Sequence, residues 1–264
     1  MPRGQSNVTL PPAIHVITCL LRAEGRSRAV SQDCGGRPGV FTLITGIGRQ
    51  NAERSLREFL KNHRRRGDET QIKEKLETPD VVSYAPDLVL TCGFAGGLNP
   101  ELKLGDVVFE IPSSSCRREP AQTESENQSE PTYIGCHDKL VAAGAKPANI
   151  FCADRIAITI AEKKQLRDKT SADAVEMESA AIHAVCAERG IACATVRVIS
   201  DTAGEDLPLD FNALAKSDQN LDFGKLAWAI AKSPGKIGAL MELQKKTKFA
   251  AEQLAGILAK ITFP

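Results

Sequence analysis

Two carboxylates, Glu178 and Asp201, stand at the ends of two neighbouring apolar runs. Glu178 closes the segment ValGluMetGlu at 175–178, and Asp201 closes ArgValIleSerAsp at 197–201. A carboxylate at such a position can hold substrate hydroxyls through charge-assisted hydrogen bonds, and a second one can pass a proton. Ala174 to Met177 reads as a short buried strand ending at Glu178. Ser179 to Arg189 reads as a helix with Ile182, Val185 and Cys186 on one face and Gly190 as its stop. Ile191 to Ser200 is a second strand, delivering Asp201. The order strand, helix, strand predicts a right-handed parallel crossover, and in an open parallel sheet ligands bind outside the carboxyl ends of the strands.

The rest of the chain supplies elements of the same kind. Ala13 to Leu21 and Val40 to Thr45 read as strands, the latter entering Gly46-Ile47-Gly48. A helix is predicted from Arg49 to Asn62, with Ala52, Leu56 and Leu60 on one face. Asp87 to Cys92 reads as a strand that opens at Gly93 into a glycine-rich turn, Gly93-Phe94-Ala95-Gly96-Gly97, whose amides can approach a ligand. The same turn, without a ligand, is common in α/β proteins. Leu104 to Ile111 and Ala148 to Ala153 are further strands, and Ile160 begins a helix. Residues 63–79 are charged, as a helix extension or an insertion. Residues 112–131 lack periodicity and read as a mobile loop. No internal repeat is visible.

Composition narrows the possibilities. The chain has 264 residues, 42% of them hydrophobic, enough for one sizeable core or a core with an appendage. Lys and Arg number 34 against 33 Asp and Glu, so no global basic field points to nucleic acid. Eight cysteines without a CxxC pair read as reduced thiols of a cytoplasmic protein. The four histidines are scattered, which argues against a metal site. No apolar stretch is long enough to span a bilayer. Residues 1–12 read as a flexible tail, 13–222 as the catalytic domain and 223–264 as a helical extension.

Four segments carry a family resemblance: ThrGlyIleGlyArgGlnAsnAla at 45–52, the strand and glycine run at 86–108, AlaValGluMetGluSerAlaAlaIle at 174–182 and ArgValIleSerAspThrAla at 197–203. In this order they resemble the 5′-methylthioadenosine/S-adenosylhomocysteine nucleosidases of the wider nucleoside phosphorylase family, over roughly residues 13–215 apart from two insertions. The resemblance implies a single α/β domain with a central mixed, partly barrel-like sheet flanked by helices, here with extra C-terminal helices. It implies hydrolysis of the N-glycosidic bond of a purine nucleoside, a 5′-substituted adenosine, without a cofactor or metal, and a homodimer or higher homo-oligomer.

The resemblance also implies roles. Asp201 is similar to the acid that protonates purine N7, a task suited to a carboxyl whose pKa burial has raised. Taken alone, an Asp after a strand equally fits a helix cap. Glu178 matches the residue that accepts from the ribose hydroxyls, and Met177 the one that packs on the ribose, although an isolated Met is more simply core. Gly93, Phe94, Ala95, Gly96 and Ser200 fall among the expected substrate contacts. Phe94 replaces a small hydroxyl residue and would crowd the pocket. Ile156 stands where the family usually offers an aromatic to stack on adenine. Glu24 falls where nucleosidases carry the glutamate that activates water, whereas phosphorylases carry a phosphate-binding arginine there. Thr91 falls near a second such arginine. Both favour water, although Arg22, Arg26 and Arg28 could rebuild an anion site.

The C-terminal part is predicted to hold a helix over 223–232, a break at Pro234-Gly235, and an amphipathic helix over 236–260 with Leu240, Leu243, Thr247, Ala250, Leu254 and Ile257 on one side. With LeuProLeuAspPheAsn at 207–212 this tail resembles the hopanoid-associated branch of the family, whose substrate is an adenosyl lipid. Such a helix packs on the domain or a partner subunit, and a membrane-surface contact is the rarer use. Phosphorolysis and cleavage of a lipid nucleoside are the alternatives to hydrolysis. A non-catalytic binder has no need of the acid.

Overall fold

The computed structural model describes residues 17–22, 40–61, 86, 88–111, 134–214, 225, 228, 231–232 and 234–261. Glu24, Arg26, Arg28, the tail at 1–12 and the segments at 63–79 and 112–131 lie outside the described residues. The strands are β1 (Ile17–Arg22), β2 (Val40–Ile44), β3 (Leu88–Gly97), β4 (Val107–Glu110), β5 (Lys146–Pro147), β6 (Ile150–Cys152), β7 (Ala174–Glu176) and β8 (Ala192–Asp201). The helices are α1 (Arg49–Lys61), α2 (Ile134–Ala143), α3 (Ile160–Thr170), α4 (Ser179–Arg189), α5 (Phe211–Leu214) and, after a 3-10 turn at Pro234–Lys236, α6 (Ile237–Lys260).

The sheet is mixed, with the order β2-β1-β3-β8-β4-β5, and β7 joins it to β6. β3 is its spine. It runs parallel to β8 from Leu88 to Gly96, and on its other side it changes neighbour. β1 pairs antiparallel with Leu88, Val89 and Leu90, whereas β7 pairs antiparallel with Gly96 and Gly97. Between those two ladders, Thr91 to Ala95 has no registered ladder partner on that side among the described residues. A strand edge released between two diverging neighbours is the kind of crevice in which α/β sheets bind ligands.

Two expectations are corrected here. β7 is antiparallel to β3 while β8 is parallel to it, so β7 and β8 run in opposite senses with β3 between them. The connection through α4 is therefore not a parallel crossover, and Glu178 is carried back along β3 instead of out past its end. Gly93 to Gly97 is not a turn but the second half of a ten-residue strand. The pairing with β8 outweighs the local glycine preference. Gly96 is demanded instead by crowding: a Cβ there would come within 3.2 Å of Asp201 Oδ2.

Both faces of the sheet are covered. Ala52, Leu56 and Leu60 of α1 meet Ile182, Val185 and Cys186 of α4 over Val89 and Cys193. The predicted stripes on both helices are the buried ones, and each fully buried leucine stabilises by ~2 kcal/mol. Gly190 ends α4 in the left-handed region, φ 57°. On the opposite face Leu90, Cys92, Phe109 and Val198 pack beneath α2 and α6. In α6, Ala250 and Leu254 are buried and Leu240, Leu243, Thr247 and Ile257 are half-buried, so the predicted stripe is the one that docks on the domain. Gly105, at φ +84°, lets it do so, since a Cβ there would sit 2.6 Å from the Phe249 ring. Lys225, Trp228, Ala231 and Lys232 of the preceding stretch are helical. No described helix is long and apolar enough to cross a membrane.

Candidate active site

The alternation of β3 and β8 sets polar side chains on the face covered by α1 and α4. Thr91 is in register with Thr195, and Gly93 with Arg197. Thr91, Thr195 and Arg197 are all fully buried. Burying a guanidinium costs several kcal/mol unless partners surround it. Arg197 Nη2 donates to Glu176 and, at 3.1 Å, to Thr91 Oγ1, and it lies 3.7 Å from Glu178 Oε2. Its Nε–H is the one buried side-chain polar group without an acceptor among the described residues.

Glu176 and Glu178 share this cation on unequal terms. Glu176 also accepts from the amides of Glu178 and Ser179 and, at 2.6 Å, from the Ser179 hydroxyl. Burial works to raise its pKa, but the Arg197 charge and these donors outweigh it and hold the carboxyl down to about 2. Glu178 is 4% exposed and its Oε1 accepts from Gly48 N–H at 2.7 Å. That bond crosses the crevice, joining the β2–α1 turn to the segment after β7. Burial, helped by the Glu176 charge, pushes Glu178 above the ordinary carboxylate range against the pull of Arg197. Behind the cluster His183 Nε2 and Thr195 Oγ1 are 2.8 Å apart, and burial drives the imidazole pKa down to about 4.

Asp201, 7% exposed, is the last residue of β8. Its Oδ1 accepts from the Ser200 hydroxyl at 2.8 Å. Its Oδ2 lies 2.6 Å from Lys163 Nζ on α3. Asp201 is thus buried at the strand end, as expected, and in addition ion-paired. Lys163 is itself wholly buried and donates to the carbonyls of Thr202, at 2.7 Å, and Glu205, at 2.8 Å. The helix that carries it is fixed by a capping box, Thr159 with Glu162.

The other predicted residues divide. Gly93 and Ala95 are buried in β3, with Ala95 O accepting from Ser200 Oγ at 3.3 Å. Gly96 faces Asp201. Met177 is half-buried between Glu176 and Glu178. Phe94 packs against the cluster under α2 and α6, on the face of β3 away from Arg197. Ile156 is half-buried, and both its amide and its carbonyl are bound by the Asn212 side chain at 2.9 Å. Arg197 and Lys163, the two cations that organise the carboxylates, were not among the predicted residues. A separate cavity of about 490 Å³ is lined by Phe109, Glu110, His137, Pro147, Asn149 and Asp173 and contains none of the predicted residues.

Comparison with known proteins agrees with this architecture. The model of the phosphorylase superfamily matches residues 34–230. The 5′-methylthioadenosine/S-adenosylhomocysteine nucleosidase of Shewanella halifaxensis is 30% identical over 150 residues, which are 50% of this chain and 64% of that protein. The enzyme of the same name from Pseudoalteromonas translucida is 30% identical over 153 residues, 50% of this chain and 62% of the relative. The matched stretch thus spans less than two thirds of these relatives. The crystal structure of the Neisseria meningitidis nucleosidase in complex with methylthio-immucillin-A has a TM-score of 0.50 at 19% identity, covering 86% of this chain and 82% of that one. That likeness is one of fold. Matched by the family model over most of its length, the chain belongs to the phosphorylase superfamily.

Proposed function

We propose that this protein cleaves the N-glycosidic bond of a purine nucleoside by hydrolysis, with a 5′-substituted adenosine as substrate, releasing adenine. The observation that supports the reading is a pair of buried carboxylates, Glu178 held by Gly48 N–H and Asp201 held by Lys163 and Ser200. The names of the relatives, nucleosidases acting on 5′-methylthioadenosine and S-adenosylhomocysteine, support the substrate class.

In this reading Glu178 accepts hydrogen bonds from the ribose hydroxyls and steadies the positive charge that develops on the sugar. Asp201 protonates N7, so the base leaves neutral. Met177 packs on the ribose, Ile156 on the base, and the strand Gly93–Gly96 and Ser200 border the sugar and base. Glu24 activates the attacking water. No cofactor or metal takes part. A homodimer in the cytoplasm, with 13–222 as the catalytic domain, belongs to the same reading.

The family match keeps phosphorolysis, including that of an adenosyl lipid, as the competing chemistry. Thr91 speaks against it: in a phosphorylase the resemblance would set a cation there, and here the threonine hydroxyl is taken up by Arg197. The test is release of adenine from 5′-methylthioadenosine, S-adenosylhomocysteine and adenosine, with and without phosphate. Free ribose products at a phosphate-independent rate, slowed strongly by Glu24→Gln, are expected. A rate that saturates with phosphate and yields the sugar 1-phosphate overturns hydrolysis.

A further inference from the structure

The acid of the proposed reaction has a feature that its role alone does not explain. Asp201 is an acceptor on both oxygens: Oδ1 takes the Ser200 hydroxyl proton and Oδ2 faces the Lys163 ammonium at 2.6 Å. Both oxygens are engaged by donors, and the one nearest to Oδ2 is the Lys163 ammonium. The nearest transferable proton is on Lys163.

The surroundings of Lys163 suit such a transfer. An ammonium has three N–H donors. Nζ has three acceptors, Asp201 Oδ2, Thr202 O at 2.7 Å and Glu205 O at 2.8 Å, and the side chain is wholly enclosed. If one proton passes to Oδ2, the remaining two N–H groups still serve the two carbonyls, and the nitrogen lone pair accepts from the new carboxyl O–H. Every polar group of the cage is satisfied before and after, so transfer leaves no buried group orphaned. The cage is rigid for reasons outside the site. Glu205 Oε1 accepts from Thr202 N–H at 2.7 Å, and its Oε2 binds Lys246 of α6. Burial raises the Glu205 pKa, but Lys246, the Thr202 amide and the Lys163 charge together hold it below the ordinary range. Glu205 thus stays an anion tied to α6 and does not compete for the proton. The titratable groups near the relay are therefore Asp201, Glu205 and Lys246.

We infer that Lys163 is the proton reservoir of Asp201: the ammonium supplies, through the carboxyl of Asp201, the proton that the departing base takes up. This rests on the reading of Asp201 as the general acid. As the C1′–N9 bond breaks, its electron pair goes to the base. One proton leaves Asp201 for N7 and one moves from Nζ to the carboxyl, leaving the carboxylate restored and Lys163 neutral. The proton released by the attacking water goes to solvent, and a proton returns to Nζ through the carboxyl of Asp201, the more exposed member of the pair. Lys163 touches no reacting atom and is a positioning and proton-holding residue.

The test is chemical rescue. Lys163→Ala is assayed for adenine release from 5′-methylthioadenosine with added ethylamine, 2-fluoroethylamine and 2,2,2-trifluoroethylamine, which are similar in size and differ in acidity. The expected loss in kcat is ~10²-fold or more, the scale of general acid catalysis, with KM changed less than about threefold. Rescue should rise with the acidity of the ammonium ion. Equal rescue by all three, or none, means that Lys163 only holds charge or shape, and overturns the relay. Should Lys163→Ala fail to fold, Lys163→Gln keeps N–H donors for the two carbonyls but has no proton to give. It is expected to fold, with a melting temperature lowered by the lost counter-charge of Asp201, and to show the same loss in kcat; wild-type turnover by it overturns the relay. If the wild type releases no adenine from any nucleoside, the functional reading fails and this inference with it. A wild type that works beside an unimpaired Lys163 variant sinks the relay alone.

Discussion

The sheet carries two buried carboxylate clusters that solve the same electrostatic problem with different cations. Around Glu178 the counter-charge is Arg197, shared with Glu176 and left with one N–H unpaired. Around Asp201 it is Lys163, with each of its three donors matched. Guanidinium does not lose its proton in proteins, whereas a buried amine can. The first cluster therefore holds a fixed charge pattern, suited to gripping hydroxyls and stabilising a cationic sugar. The second can pass a proton from Nζ to the carboxyl in the proposed relay. In that reading the choice of cation separates a binding carboxylate from a proton-transferring one.

The comparison breaks most visibly at Arg197. Arg197→Met leaves Glu176 and Glu178 buried without their counter-charge, and such losses cost ~3–5 kcal/mol. Urea unfolding should show a drop of that order, partly recovered in the double variant Arg197→Met with Glu176→Gln. A drop under about 1 kcal/mol would mean that the guanidinium is not what holds the cluster.

A smaller effect lies behind the same cluster. Burial holds the His183 imidazole down to about 4, below the ordinary 6.5. As pH falls through 6.5 the unfolded chain takes up the proton first, so this contribution to stability is full above 6.5 and is lost as pH falls toward 4. The gap corresponds to at most ~3 kcal/mol. Glu176, depressed to about 2 from 4.5, has the same sign at lower pH. Glu178, raised by burial, has the opposite sign, because its folded form favours the proton. Melting temperatures of the wild type should therefore fall on acidification below about pH 6.5, and His183→Gln should flatten that slope. An unchanged slope would remove His183 from the account.

Much of this architecture was legible in the chain, and the part that was not is the part made of distant contacts. Leu56 and Leu60 on α1, Ile182 and Val185 on α4 and Ala250 and Leu254 on α6 announce their burial by spacing alone, and Gly190 its stop. Arg197 and Lys163 announce nothing, because such side chains are usually exposed. Their partners come from other elements: Thr91, Glu176 and Glu178 for one, Asp201, Thr202 and Glu205 for the other. The glycines of β3 misled in the same way. Gly93 to Gly97 carries turn chemistry locally, and only the partner strand β8 and the crowding by Asp201 reveal why a strand needs them. Likewise no local signal tells that β3 lies between β7 and β8 and reverses their relation.

The division of labour between the clusters is tested most directly by adenine release from adenosine and 2′-deoxyadenosine, measured side by side for the wild type, Glu178→Gln and Asp201→Asn. A site built to bond a hydroxyl rejects the analogue lacking it, so the wild type should favour adenosine and Glu178→Gln should lose most of that preference. Asp201→Asn should slow both substrates alike, by ~10²–10⁴-fold, and leave their ratio intact. An unchanged ratio in Glu178→Gln, or near wild-type turnover in Asp201→Asn, would contradict the assignment of binding to one carboxylate and proton transfer to the other.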